Sequence, residues 1–339
     1  MEGGPRALAV LAAAILGLAG CDLPPPEPDP APQAEAPPPP PPPPARPRPQ
    51  PAPPPPPPPA AEPSAASRAL ELYYRRLQSD LLAQGLLRGD GGGADTPFTD
   101  TMLARNFMEI AFFDEFSETE GGSLVPVRRE SVLRRWDGPI RMQIEFGASV
   151  PEDQRRRDRA SIAAYASRLS RLTGVPITLV DGGGNFHVAI LSEDERRAWE
   201  PRLREIVPDI AASSVRTFVN LPRSTLCLVI AFGRDGQPAY DRAVALIRAE
   251  HPNLLRTACI HEELAQGMGL ANDSPRARPS IFNDDEEFGL LTRHDELLLR
   301  ILYDRRLRTG MSAEEARPLV RQIAAELMAE ERTRTAASR

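Results

Sequence analysis

Between Cys259 and Ser274 the chain reads Cys-Ile-His-Glu-Glu-Leu-Ala-Gln-Gly-Met-Gly-Leu-Ala-Asn-Asp-Ser, a dense grouping of side chains that could do chemistry. A zinc-binding helix needs its second ligand four residues after the first, so that both point one way. His261 fails that test, because position 265 is Ala and Gln266 lies one residue too far, about 140° around a helix. Glu262 and Gln266 pass it, sharing a face that Leu255 and Cys259 continue toward the amino end. With Asn272 further on, that face offers oxygen ligands only. Carboxamide oxygens bind zinc weakly, so Glu262, Gln266 and Asn272 suit a hard cation if they hold a metal at all. Glu263 is the one residue here equipped for general-base work, and a base needs an activated water. The bland alternative is a polar network: Asn272 and Asp273 are ordinary turn and cap residues, and Glu262 and Gln266 would bond to the chain near Asn272 and Ser274. An unpartnered buried carboxylate is costly, so Glu262 must be satisfied by something.

The spacing Glu262-Glu263-x-x-Gln266-x-x-Gly269-x-x-Asn272-Asp273 resembles the metzincin zinc-protease pattern, with the ligand positions replaced. Downstream, Ser280-Ile281-Phe282-Asn283 resembles the methionine-turn segment, with Phe282 in the methionine place. Leu291-Thr292-x-x-Asp295 and Leu302-Tyr303 resemble the two ends of the last helix of matrixin-like domains. More closely, Glu262-Glu263-Leu264-x-Gln266, Gly269-Leu270-x-Asn272-Asp273-Ser274, Ser280-Ile281-Phe282-Asn283-Asp284 and Gly310-Met311 resemble the family of unknown function DUF2927, over about Trp136 to Arg317. The protease resemblance implies an α+β three-layer sandwich with a small twisted mixed sheet and an active-site-type helix. It also implies a site that is degenerate or repurposed, with Glu262, Gln266, Asn272 and Asp273 lining a cleft beside Glu263. No cofactor is expected, a hard cation or zinc being the alternative.

The amino-terminal part carries a different signal. A short apolar run, Ala7 to Ala19, precedes Gly20-Cys21, and Leu18-Ala19-Gly20-Cys21 resembles the bacterial lipoprotein processing box. The run is too short for a comfortable transmembrane span of about 20 residues. The expectation is export, cleavage before Cys21, and lipid on that cysteine, giving attachment to the cell membrane or outer membrane with the domain facing the periplasm. From Leu23 to Pro63 the composition is nearly all Pro, Ala and Glu, which excludes helix and sheet. Polyproline II at about 3.1 Å per residue would let this tether reach roughly 120 Å. Outside the cytoplasm the two remaining cysteines, Cys227 and Cys259, read as a disulfide; two small buried residues are the other reading. The formal net charge is -6, and no basic stripe points to nucleic acid.

Residues 1–20 are thus expected as signal, 21–66 as tether, 67–120 as a helical extension, 121–310 as the domain, and 311–339 as a terminal helix and tail. Helices are predicted over Ser67–Leu87, Pro151–Leu172, Ser192–Ile206, Ala239–Glu250, Pro252–Gly267, Thr292–Tyr303 and Ala313–Glu331, and Thr101–Phe116 reads as a short helix or an irregular apolar segment. Strands are predicted at Val125–Glu130, Pro139–Phe146, Ile177–Val180, Asn185–Leu191 and Thr225–Phe232, with Asn185–Leu191 at an edge and His187 on its surface. Glu120-Gly121-Gly122 reads as a turn. The expected function is envelope binding or scaffolding by a non-catalytic domain, its partner an envelope protein, peptide or peptidoglycan. An envelope peptidase or peptidoglycan hydrolase with Glu263 as general base is the alternative.

Overall fold

The computed structural model describes residues 62–118, 124–283 and 285–337. The signal segment, Cys21, the Pro-rich tether up to 61, the turn at Glu120-Gly121-Gly122, and Asp284 lie outside them. Two helices come first, α1 (Ala65–Ala83) and α2 (Asp100–Ala111), then a hairpin of β1 (Phe113–Glu118) and β2 (Leu124–Glu130). The expected boundary at 120/121 falls between those two strands. A second sheet is built from β3 (Arg135–Trp136), β4 (Ile140–Phe146), β5 (Ile177–Val180), β6 (Phe186–Leu191), β7 (Cys227–Gly233) and β8 (Ala239–Arg248). The long helix α3 (Glu152–Thr173) links β4 to β5, and α4 (Glu193–Arg197), α5 (Glu200–Ile206) and α6 (Ala212–Val219) link β6 to β7. Three helices close the chain: α7 (Asn253–Gln266), α8 (Arg293–Leu302) and α9 (Ala313–Ala337). Among the described residues no helix is long and apolar enough to cross a membrane.

The fold is α+β with a mixed sheet. β5, β4, β6 and β8 run parallel in that order, and β7 lies antiparallel along β8. Alternation along the strands divides the core in two. Val188, Ile190, Ala245 and Ile247 join the main core with α2, α3, α7, α8 and α9. Ala189, Leu191, Val244 and Leu246 face the other way, onto Leu203, Val215 and Phe218 of the α5–α6 segment. The sheet is therefore covered on both faces.

That double cover explains the main departures from the sequence reading. Ala239–Glu250 is the strand β8, not a helix. Ala243 to Ile247 is buried at every position, so no two-residue alternation in polarity survives to announce it. Asn185–Leu191 is not an edge strand either, since β6 lies between β4 and β8. Its His187 is buried rather than at the surface, bonded through Nδ1 to Glu145 (2.7 Å) and through Nε2 to the Gly184 carbonyl (3.1 Å). The helix expected up to Ile206 is broken into α4 and α5 at Ala198–Trp199, though its capping box of Ser192 and Glu195 is present. Helix α2 ends at Ala111, and the predicted continuation to Phe116 enters β1.

Helix α1 packs on the outer side of α7, burying Tyr74 against Leu255 and Ala258. It also completes the start of α7. Pro252 provides no side-chain cap there, and Gln78 of α1 accepts the Leu255 N–H at 3.0 Å.

Candidate functional site

Helix α7 carries the motif, and three sets of contacts position it. Tyr165 of α3 stacks on the His261 ring, with centroids 4.0 Å apart, and donates its hydroxyl to the His261 carbonyl at 2.8 Å. His261 Nδ1 accepts the Leu291 N–H at 3.1 Å. Burial and the nearby Arg168 guanidinium push that imidazole down to about 4, so it is neutral at ordinary pH. His261 is therefore a fastening of the helix and not a ligand. The turn after α7 is held from the other side: Trp136 Nε1 donates to the Gly267 carbonyl and the Tyr303 hydroxyl to that of Met268, both at 2.8 Å. Gly269 is required there. Its φ is 123°, and a Cβ would sit 2.3 Å from the Arg134 carbonyl oxygen.

The third fastening is covalent. Cys227 at the start of β7 and Cys259 in α7 form a disulfide, tying the sheet to the motif helix across 32 residues. Glu262 stands beside it, Oε2 lying 3.8 Å from Cys227 Sγ. A disulfide sulfur carries no hydrogen, so this is a contact and not a hydrogen bond. Cys227, Cys259 and Glu262 place their ligand atoms within 4.8 Å of one another. With the two sulfurs bonded to each other, neither is a thiolate, and the cluster is closed to metal.

Glu262, Glu263, Gln266 and Asp273 line a cleft of about 510 Å³ between α7, β7 and the loop at Asn283. Glu263 is 4% exposed and Glu262 half-buried. Gln266 Nε2 donates to Asp273 Oδ1 at 3.0 Å, linking helix to turn. Asn272 is the departure. It is buried, and its amide donates to the Glu109 carbonyl at 3.0 Å while its N–H donates to that of Ile110 at 3.1 Å. It serves the carboxyl end of α2 and does not face Glu262 or Gln266. Glu262, Gln266 and Asn272, the candidate ligand set, are thus not brought together. A zinc ion does not fit them: one side chain is spent on α2, one on Asp273, and neither carboxamide is a good zinc donor.

The downstream motif is structural throughout. Asp295, fully buried, accepts from the Ser280 hydroxyl (2.5 Å), the Ile281 N–H (3.1 Å) and the Thr292 N–H (2.9 Å). Thr292 caps α8 in return, accepting the Asp295 N–H at 3.1 Å. Phe282 is buried beneath the turn, its carbonyl accepting the Ser274 N–H at 2.9 Å, and Asn283 holds the loop through the Ala277 carbonyl at 2.9 Å. His294, in the first turn of α8, is buried and pairs with Asn106 of α2 at 3.1 Å.

Sequence reasoning passes over Arg134 and Tyr240 in the cleft wall, because neither belongs to a recognisable spacing. It also takes His251 for a cap residue only. That ring is buried against Tyr74, with Nδ1 lying 3.7 Å from Cys259 Sγ.

The profile of a family described as "Protein of unknown function (DUF2927)" matches residues 100–322. The chain belongs to the DUF2927 family. The DUF2927 region begins at α2, ahead of the expected Trp136, and runs into α9. It contains the disulfide, the cleft and the Asp295 network. No curated protein and no solved structure matches the chain.

Proposed function

We propose that this is a lipid-anchored protein of the bacterial envelope whose metzincin-like domain binds an extended peptide segment without cleaving it. The observation that carries the reading is the Cys227–Cys259 disulfide, which fastens strand to motif helix where a protease would rely on bound metal. A disulfide of this loop length contributes about 3–4 kcal/mol, enough to replace part of the restraint a metal would give. Support for peptide binding comes from β7. It is the outer antiparallel strand, and among the described residues no strand pairs with its far edge. An extended peptide added there would run past Glu262, Glu263 and Gln266. The order of strand, long helix, strands and motif helix also suits the protease kinship. The anchor rests on Leu18-Ala19-Gly20-Cys21 and on the tether that follows.

Two experiments test the reading. Replacing Cys21 by Ser should release the chain from the membrane fraction and abolish incorporation of a labelled fatty acid. Glu263→Gln, which keeps the size and polarity of the side chain in the cleft wall, should behave like wild type in cells, and the purified chain should release no fragments from a bound peptide. A Glu263→Gln strain that matches the deletion strain would favour the hydrolase alternative, for which the place of Glu263 in the cleft wall is the supporting observation.

A further inference from the structure

Cys227, Cys259 and Glu262 form a donor set of a kind the metzincin pattern does not contain. One sulfur comes from the sheet, one from α7, and the carboxylate from the next turn of the same helix. In a tetrahedral zinc site, bonds of about 2.3 Å to sulfur and 2.0–2.2 Å to oxygen hold the ligand atoms about 3.5–3.8 Å apart. Cys227 Sγ and Glu262 Oε2 already stand 3.8 Å apart, and all three ligand atoms lie within 4.8 Å of one another. The sulfur–sulfur separation is wrong for a metal, because the two atoms are bonded.

We propose that reduction of this disulfide opens a zinc site made of Cys227, Cys259 and Glu262. Two thiolates and a carboxylate bring three negative charges to a divalent cation, and the soft sulfur donors favour zinc over calcium or magnesium. Three protein ligands leave a fourth position, the arrangement zinc takes where it keeps a water. The cleft supplies access: Cys227 is 7% exposed and lines it, whereas Cys259 is 1% exposed.

The electrons come from a dithiol. One of its thiolates attacks Cys227 Sγ, the disulfide bond breaks, and Cys259 leaves as a thiolate beside His251 Nδ1. The second thiol of the reductant then closes its own disulfide and releases Cys227. Zinc binds both cysteines as thiolates, and the two protons of the dithiol go to solvent. The same residues therefore fasten the domain when oxidised and hold zinc when reduced.

Cobalt(II) is the probe, because thiolate coordination gives it a sulfur-to-metal charge-transfer band. The full chain, purified in detergent, is titrated with cobalt before and after reduction by a phosphine under anaerobic conditions, with far-ultraviolet circular dichroism recorded in parallel. The oxidised chain should show no such band. The reduced chain should keep its fold and bind one cobalt per chain, displaced by one equivalent of zinc. Glu262→Gln should weaken binding at least about tenfold, roughly the loss of one charged ligand interaction of about 1.4 kcal/mol. The Cys227→Ala, Cys259→Ala double variant should lose the band. A reduced chain that unfolds, or that stays folded and takes up no metal, overturns the proposal. So does undiminished binding in the Glu262→Gln variant or in the double-cysteine variant. Failure here leaves the peptide-binding reading intact, since that reading concerns the oxidised form.

Discussion

The two halves of the DUF2927 motif do opposite things with polar side chains. In the second, Ser280, Thr292 and Asp295 are turned inward and bonded to one another: Asp295 alone gathers the Ser280 hydroxyl and the Ile281 and Thr292 N–H groups. In the first, Glu262, Glu263, Gln266 and Asp273 line a cleft and share one wall. The second half is a staple that sets the loop beside α8. The first presents functional groups, and its own fastenings are a disulfide and a neutral histidine rather than a carboxylate. Stability should therefore reside in the staple and the crosslink, and recognition in the cleft.

Changes to either half can be ranked by expected effect. Asp295→Ala comes first. It leaves two backbone N–H groups and a hydroxyl buried without their acceptor, a loss of about 3–5 kcal/mol, read as a lower urea midpoint. If Asp295→Ala unfolds no more easily than wild type, the staple is not a stability element. Reduction of Cys227–Cys259 without added metal comes next, at about 3–4 kcal/mol for a loop of this length. The expected result is a folded chain with a lower midpoint.

Acid should act through His261. Its folded-state value of about 4 lies below the ordinary 6.5, so the native chain binds fewer protons than the unfolded one between those limits. The contribution is complete above pH 6.5 and is lost as pH falls toward 4, costing about 2–3 kcal/mol. Unfolding midpoints measured across that window should decline, and a His261 ring signal that titrates near 6.5 in the folded protein would contradict the geometry. The smallest effect belongs to the cleft. Gln266→Ala removes one hydrogen bond to Asp273 and should cost about 1 kcal/mol or less, while weakening peptide capture. A larger stability loss than that of Asp295→Ala would reverse the roles of the two halves.

Much of this is legible in the residues. The i, i+4 relation of Glu262 and Gln266 places them on one face, and the capping pairs Ser192 with Glu195 and Thr292 with Asp295 stand where helices begin. The Cys227–Cys259 pairing follows from counting cysteines in a chain expected to be exported. Other features have no local signal. β8 is buried on both faces, so its apolar run has the look of a helix until its neighbours are known. The two-residue β3 is too short for any periodicity, and α6 contains Ser213, Ser214 and Thr217, poor helix formers whose place is decided by packing of Val215 and Phe218. Spacing alone assigns Asn272 to the cleft. Which way an amide points after a tight turn depends on what packs against it, and here that is the end of α2.

If the oxidised cleft recognises its partner without metal chemistry, the metal content of the native chain decides the matter. The full chain is isolated without reductant, its thiols are counted, and its zinc is measured by elemental analysis. The expected result is no free thiol at Cys227 or Cys259 and zinc far below one equivalent. One zinc per chain with the disulfide intact would overturn the non-catalytic reading, because a metal would then be resident in a chain whose Cys227 and Cys259 are bonded to each other.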